Sequence, residues 1–180
     1  MPPRFPLGLL GGRKSRSLVL YGKSGRGKTV YACALMHAVA PAHVYHFINK
    51  VDRVRDVVFS PGEGLVIDET CFVEREIDDV KGLLDVEKGR DVVCRNRDGF
   101  IPRGTPRIFS TNWPWELFWP REALCSAHST AIARRVLWIH VTADLRLGAT
   151  THDDVADASD DAAAGCYGEE DVFGLGLGLD

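Results

Sequence analysis

Short apolar runs alternate with stretches of helical periodicity along most of this chain. Leu18-Val19-Leu20-Tyr21 is a continuous apolar run of strand length and reads as a buried strand. Residues 29–39 read as a helix stopped by Pro41, because proline disfavours the α conformation in the residue before it. Residues 44–48 and Leu65-Val66-Ile67 read as two further strands. Ile77, Val80, Leu83 and Leu84 fall at helical spacing and predict a helix over 74–87. Residues 107–111 read as a fourth strand, 115–124 as a helix and 136–141 as a fifth strand. Strands alternating with helices predict an α/β domain whose mostly parallel sheet is covered on both faces. Residues 91–106 break the rhythm. There Val92-Val93-Cys94 and Phe100-Ile101 flank the turn dipeptide Asp98-Gly99, which predicts an inserted β-hairpin.

These elements define a body over 18–147. Residues 1–17 combine prolines and glycines with Arg13-Lys14-Ser15-Arg16-Ser17 and read as a basic linker. Residues 148–180 are rich in Asp, Ala and Gly, end in a Gly/Leu alternation, and predict a disordered acidic tail. The length of 180 residues and the 45% apolar content suit one globular domain. The net charge of −3 averages two opposed segments. Residues 147–180 hold nine acids and no Lys or Arg, so residues 1–146 carry 22 basic residues against 16 acidic ones. A mildly basic body suits a polyanionic partner. No run reaches the roughly 18 apolar residues of a membrane span, and the first residues do not form a signal peptide. The five cysteines (33, 71, 94, 125, 166) are scattered without a C-x-x-C pair, which points to reduced thiols inside the cell. His43 and His46 lack the further Cys or His that a zinc site needs.

Gly22-Lys23-Ser24-Gly25-Arg26-Gly27-Lys28-Thr29 fits the phosphate-loop pattern G-x-x-x-x-G-K-S/T between a predicted strand and a predicted helix. The glycines let the backbone curl with its N–H groups toward phosphate, and the helix N-terminus adds positive charge. Lys28 would reach the β- and γ-phosphates of a nucleotide such as ATP, and the Thr29 hydroxyl would ligate Mg²⁺. Forty residues after Lys28, the strand Leu65-Val66-Ile67 ends in Asp68-Glu69. Asp68 would hold the metal shell, and Glu69 would polarise an attacking water. Ile108-Phe109-Ser110-Thr111-Asn112 is a further strand with a polar tip, and Asn112 either contacts water and γ-phosphate or caps the following helix. Arg134-Arg135 precede the last strand, where one of them would stabilise γ-phosphate charge in a neighbouring subunit or both would be solvated. Lys88, Arg90, Arg95, Arg97 and Arg103 fall within 16 residues beside Phe100, a composition that suits contact with a phosphate backbone or a solvated loop. Trp113, Trp115, Phe118 and Trp119 read as a cluster for core or subunit packing.

Taken in order, Gly22–Thr29, Asp68-Glu69, the basic hairpin and Ser110-Thr111-Asn112 resemble superfamily 3 helicases of small viruses, above all the Rep proteins of circular single-stranded DNA viruses. The resemblance covers residues 16–142 and implies a P-loop NTPase fold of AAA+-like form, ATP and Mg²⁺ as cofactors, and a homo-oligomeric ring, hexameric in form. It implies translocation on single-stranded DNA or RNA, without a membrane partner, inside the cell, and in the host nucleus for a virus-derived chain. By position, Lys28 and Thr29 match the Walker A residues, Asp68 and Glu69 the Walker B acids, and Asn112 the motif C Asn. Residues 88–103 match the pore hairpin and Arg134 or Arg135 the arginine finger. The nicking domain of such proteins has no counterpart in residues 1–17, so the expectation is a helicase-only chain, a fragment or a relic. Two further readings compete: a P-loop nucleotide or nucleoside kinase, and a remnant that binds nucleotide and nucleic acid without turnover.

Overall fold

Leu18, Val19 and Leu20 are all buried, yet they serve two different cores. Val19 packs with Leu65, Ile67 and Phe109 on one face of a sheet, while Leu18 and Leu20 pack with Val66 and Ile108 on the other. Side chains alternate along a strand, so a continuous apolar run means a strand covered on both faces. The computed structural model describes residues 16–145; the predicted tail and the predicted linker up to residue 15 lie outside the described residues.

The strands are β1 (Ser17–Tyr21), β2 (Tyr45–Ile48), β3 (Gly64–Ile67), β6 (Arg107–Thr111) and β7 (Val136–His140), joined in one five-stranded sheet of order β2-β3-β6-β1-β7. All four pairings are parallel. Between β3 and β6 lies a separate antiparallel pair, β4 (Arg90–Val92) and β5 (Gly99–Ile101). Helix α1 (Lys28–Val39) covers one face, and its buried positions Lys28, Ala32 and Met36 are four apart. That spacing makes one stripe of the helix, so the stripe that packs on the sheet also carries the lysine. The helix ends because Ala40, before Pro41, is extended at φ −66° and ψ 125°.

The other face is covered by α2 (Ile77–Leu84), a 3-10 helix (Val51–Asp56), the β4–β5 hairpin, α3 (Trp115–Phe118) and α4 (Ser126–Ala133). Phe72 sits at its centre, with ring centroids 4.9 Å from Phe118 and 5.6 Å from Phe109. Arg107, fully buried at the start of β6, donates from Nη1 to the Gly82 and Leu83 carbonyls. It thereby caps the C-terminal turn of α2. Burial pulls its pKa down to about 10, with the Asp85 carboxylate acting against that shift.

Several boundaries differ from the sequence reading. Ser17 belongs to β1 rather than to a linker: its N–H donates to the Arg135 carbonyl at 2.8 Å and its Oγ to the Leu84 carbonyl at 2.9 Å. The helix expected over 115–124 is broken after Phe118, because Trp119 precedes Pro120 and is extended at φ −96° and ψ 155°. A 3-10 turn (Arg121–Leu124) follows, and then α4, whose sequence SAHSTAIA has no apolar period to announce it. The helix expected over 74–87 is only Ile77–Leu84, since Arg75 is held outside it by Asp52 and the Val93 carbonyl. Of the four aromatic residues read as one cluster, Phe118 and Trp119 are buried and Trp115 packs against them, but Trp113 is 49% exposed.

The hairpin turn is also longer than Asp98-Gly99 suggests. Val92 pairs with Gly99, so residues 93–98 form the connection and Gly99 is a strand residue. A Cβ on Gly99 would lie 2.7 Å from the Arg55 nitrogen and 2.8 Å from the Val54 carbonyl carbon. The glycine is there because the hairpin rests directly on the backbone of the 3-10 helix. Gly99→Ala is therefore expected to destabilise the domain by about 1–3 kcal/mol, a typical overpacking cost, measured by urea denaturation. Stability equal to the parent would mean that the hairpin is not seated on residues 54–55.

Candidate nucleotide site

Parallel strands end on a common edge, and here the ends of β1, β3 and β6 meet. The loop after β1 curls through residues 22–27 into α1. Gly22 has φ 148°, and a Cβ there would lie 2.5 Å from the Val141 carbonyl oxygen, so this position requires glycine. Gly27, at φ 78° and ψ 13°, turns the chain into the helix. Ser24, Gly25, Gly27, Lys28, Thr29, Val30, Asp68, Glu69, Thr111 and Asn112 line a cleft of about 290 Å³. The predicted phosphate-loop residues, both acids and Asn112 thus come from three strand ends to one place, and Gly22, Lys23 and Arg26 complete the loop beside it.

The Lys28 ammonium donates to the carbonyls of Gly22 (2.8 Å) and Lys23 (2.7 Å) and to Asn112 Oδ1 (2.8 Å). Burial lowers its pKa, while Asp68 and Glu69 act in the opposite direction. The Thr29 hydroxyl lies 3.0 Å from both carboxylate oxygens of Asp68. Ser110, on β6, donates a hydroxyl hydrogen bond to Asp68 Oδ1. Glu69 is exposed and has φ 48°, a left-handed backbone uncommon outside glycine. Its neighbours on both sides remain tied to the sheet, Asp68 N–H to the Ile48 carbonyl and Thr70 N–H to the Ser110 carbonyl. The peptide therefore turns at Glu69 alone, and its side chain borders both the first cleft and a second one lined by Asn49, Lys50, Asp52, Cys71 and Arg75. Among the described residues no group of three or more His, Cys, Asp or Glu gathers as a metal site. Mg²⁺ has no need of one, since it binds through one or two protein oxygens, phosphates and water. The Thr29–Asp68 pair, next to the glycine-rich loop, fits that donor set.

The other predicted residues are spread more widely. Lys88, Arg90, Arg95, Arg97 and Arg103 are all exposed around the hairpin. The exposed Arg90 side chain folds over Gly82 of α2, on the strand face that it shares with buried Val92. Arg97 donates to the Arg55 carbonyl, and Arg55 donates back to the Arg95 carbonyl, clasping the hairpin loop to the 3-10 helix. Among the described residues Lys88, Arg95 and Arg103 have no hydrogen-bond or ion-pair partner for their side chains. Arg55 and Arg75 were not singled out from the sequence, and Ser110 appeared there only as part of Ser110-Thr111-Asn112, without a role of its own.

Arg134 and Arg135 sit before β7, at the edge of the sheet opposite the phosphate loop. Ser17 pairs with Val136, so β1 lies between them and Gly22. Five residues at ~3.3 Å each put the two edges roughly 17 Å apart. Arg135 is half-buried, paired with Asp85 Oδ2 at 3.3 Å and donating to the Ala131 carbonyl at 2.8 Å. Arg134 is exposed and has no such side-chain partner among the described residues.

No known protein family and no curated protein sequence matches this chain. Among the described residues no helix is long and apolar enough to cross a membrane.

The two arginines should separate in a stability measurement. Arg135→Ala is expected to cost about 1 kcal/mol through the lost carbonyl bond and ion pair. Arg134→Ala should stay within about 0.5 kcal/mol of the parent, as exposed substitutions do. Thermal melts of the two variants check this, and equal losses would contradict the assignment of Arg135 to structure.

Proposed function

We propose that the chain is an ATP-hydrolysing P-loop NTPase of AAA+-like form, a superfamily 3-type helicase or translocase acting on single-stranded nucleic acid. One observation carries the reading: Lys28 and Thr29, Asp68 and Glu69, and Asn112 line a single cleft although they come from three segments of the chain. The sheet order supports the AAA+-like form, because the Asn-bearing strand β6 lies between the phosphate-loop strand and the acid-tipped strand.

In this reading the loop amides and Lys28 bind the phosphates, and the ammonium exchanges its carbonyl and Asn112 acceptors for phosphate oxygens. Thr29 and Asp68 hold Mg²⁺, which supplies charge neutralisation at the β- and γ-phosphates. Glu69, turned into the cleft by its left-handed backbone, takes a proton from the attacking water. Asn112, freed from Lys28, is placed to donate its amide N–H to the γ-phosphate or to accept from water. A water-polarising Glu favours hydrolysis over transfer to a kinase acceptor. Arg134 is the better finger candidate, because Arg135 is engaged at home. At roughly 17 Å from its own loop it serves only a neighbouring subunit, which supports a homo-oligomeric ring. The exposed, unpartnered Lys88, Arg95 and Arg103 are the groups for a phosphate backbone, and Phe100, 53% exposed, offers a stacking face.

Steady-state ATP hydrolysis with and without single-stranded DNA or RNA tests the proposal. Lys28→Ala should lower turnover about 10²–10³-fold and weaken nucleotide binding. Glu69→Gln should stop hydrolysis while ATP stays bound. Near-normal turnover in Glu69→Gln would remove it as the base, and hydrolysis absent under all conditions would leave only a binding remnant.

The hairpin is tested by salt. Replacing Arg95 and Arg103 with Ala should flatten the log–log salt dependence of single-strand affinity by about 0.7 per lost contact, with basal hydrolysis retained. An unchanged slope would mean that neither side chain touches phosphate.

A further inference from the structure

Ser110 stands in the central strand of the sheet, 1% exposed, between two buried neighbours, Phe109 and Thr111. A hydroxyl in that setting needs a partner, and the partner here is the carboxylate of Asp68 at the end of the adjacent strand. Asp68 thus accepts hydrogen bonds from two hydroxyls on two elements: Thr29 at the start of α1, and Ser110 on β6. The two donors differ in kind. Thr29 borders the cleft, and in the proposed function its oxygen turns to Mg²⁺. Ser110 is locked in the sheet, where the β1–β6 and β3–β6 pairings fix its height relative to Asp68.

We infer that Ser110 is a positioning residue for Mg²⁺-nucleotide: its hydroxyl fixes the rotamer of the Asp68 carboxylate, so that the free oxygen faces the metal shell when Thr29 lets go. The inference rests on the nucleotide reading above and adds to it a residue that contacts neither nucleotide nor metal. Outer-shell partners of this kind typically contribute about 10–100-fold to metal affinity. Loss of the hydroxyl should therefore weaken only the metal-dependent part of nucleotide binding. A merely structural serine would weaken binding with and without metal alike.

The test is the affinity of the full chain for a fluorescent ATP analogue, titrated in excess Mg²⁺ and again in excess EDTA. Ser110→Ala should lose at least about tenfold in Mg²⁺ and nothing in EDTA. Ser110→Thr and Ser110→Val form a second pair of nearly equal shape, so any crowding at this buried position is common to both. Thr should retain the Mg²⁺-dependent gain, and Val should lose it. In an Asp68→Asn background, removing the Ser110 hydroxyl should add no further loss, because the serine acts only through that carboxylate. Equal losses in Mg²⁺ and EDTA, an additive loss on top of Asp68→Asn, or identical behaviour of Thr and Val would each overturn the assignment while leaving the nucleotide site standing. A parent chain that binds no analogue under either condition would overturn both.

Discussion

The candidate site depends on β6 lying between β1 and β3. Parallel strands deliver their C-terminal ends to one edge, and this order makes three of those ends neighbours. The glycine-rich loop after β1, the Asp68-Glu69 pair and Asn112 are far apart in the chain, and each would be an ordinary loop feature alone. The register holds them to the height of a single residue: Tyr21 stands beside Thr111, and Ile67 beside Phe109. A slip of one residue would turn every alternate side chain to the wrong core. The two apolar cores on the two faces therefore also fix the geometry of the cleft.

Within that frame the cleft satisfies itself. Lys28 has three oxygen acceptors, Thr29 has the Asp68 carboxylate, and Asp68 has a second donor in Ser110. A buried ammonium without acceptors would be strongly destabilising, and here its three acceptors are all supplied from within the cleft. In the cleft, Glu69 has a strained, left-handed backbone. It is held from both sides by sheet hydrogen bonds, which is how such a conformation persists.

Arg75 gives the hairpin a physical connection to this edge. Its guanidinium bridges Asp52, at the start of the 3-10 helix, and the Val93 carbonyl, where the hairpin connection begins (2.7 and 3.1 Å). The segment that carries Arg75 starts at Glu69, and both residues line the second cleft. The clasp of Arg97 on the Arg55 carbonyl and of Arg55 on the Arg95 carbonyl closes the same unit from the far side. Hairpin, 3-10 helix and the segment after β3 are thus packed together rather than joined by a free loop.

The sequence by itself determined the strands, the glycine-rich loop between β1 and α1 and the acid pair at the end of β3, because each is local: an apolar run, a glycine spacing, a strand tip. It also determined where α1 stops, since Pro41 acts on the residue beside it. Its errors were local signals read too far. A helical pattern over 115–124 ignored Pro120, and Asp98-Gly99 looked like a turn although Gly99 serves a close backbone approach. Only the tertiary structure decided the strand order, and with it whether Asn112 meets Lys28. It alone separated Arg134 from Arg135, which are alike in sequence but differ in whether Asp85 and the Ala131 carbonyl are within reach. Ser110 was legible only as a member of Ser110-Thr111-Asn112, at the polar tip of a strand. Its bond to Asp68 came from the strand next to it, because hydrogen bonds between strands depend on which strands are neighbours, and neighbours are chosen by the packing of the whole sheet.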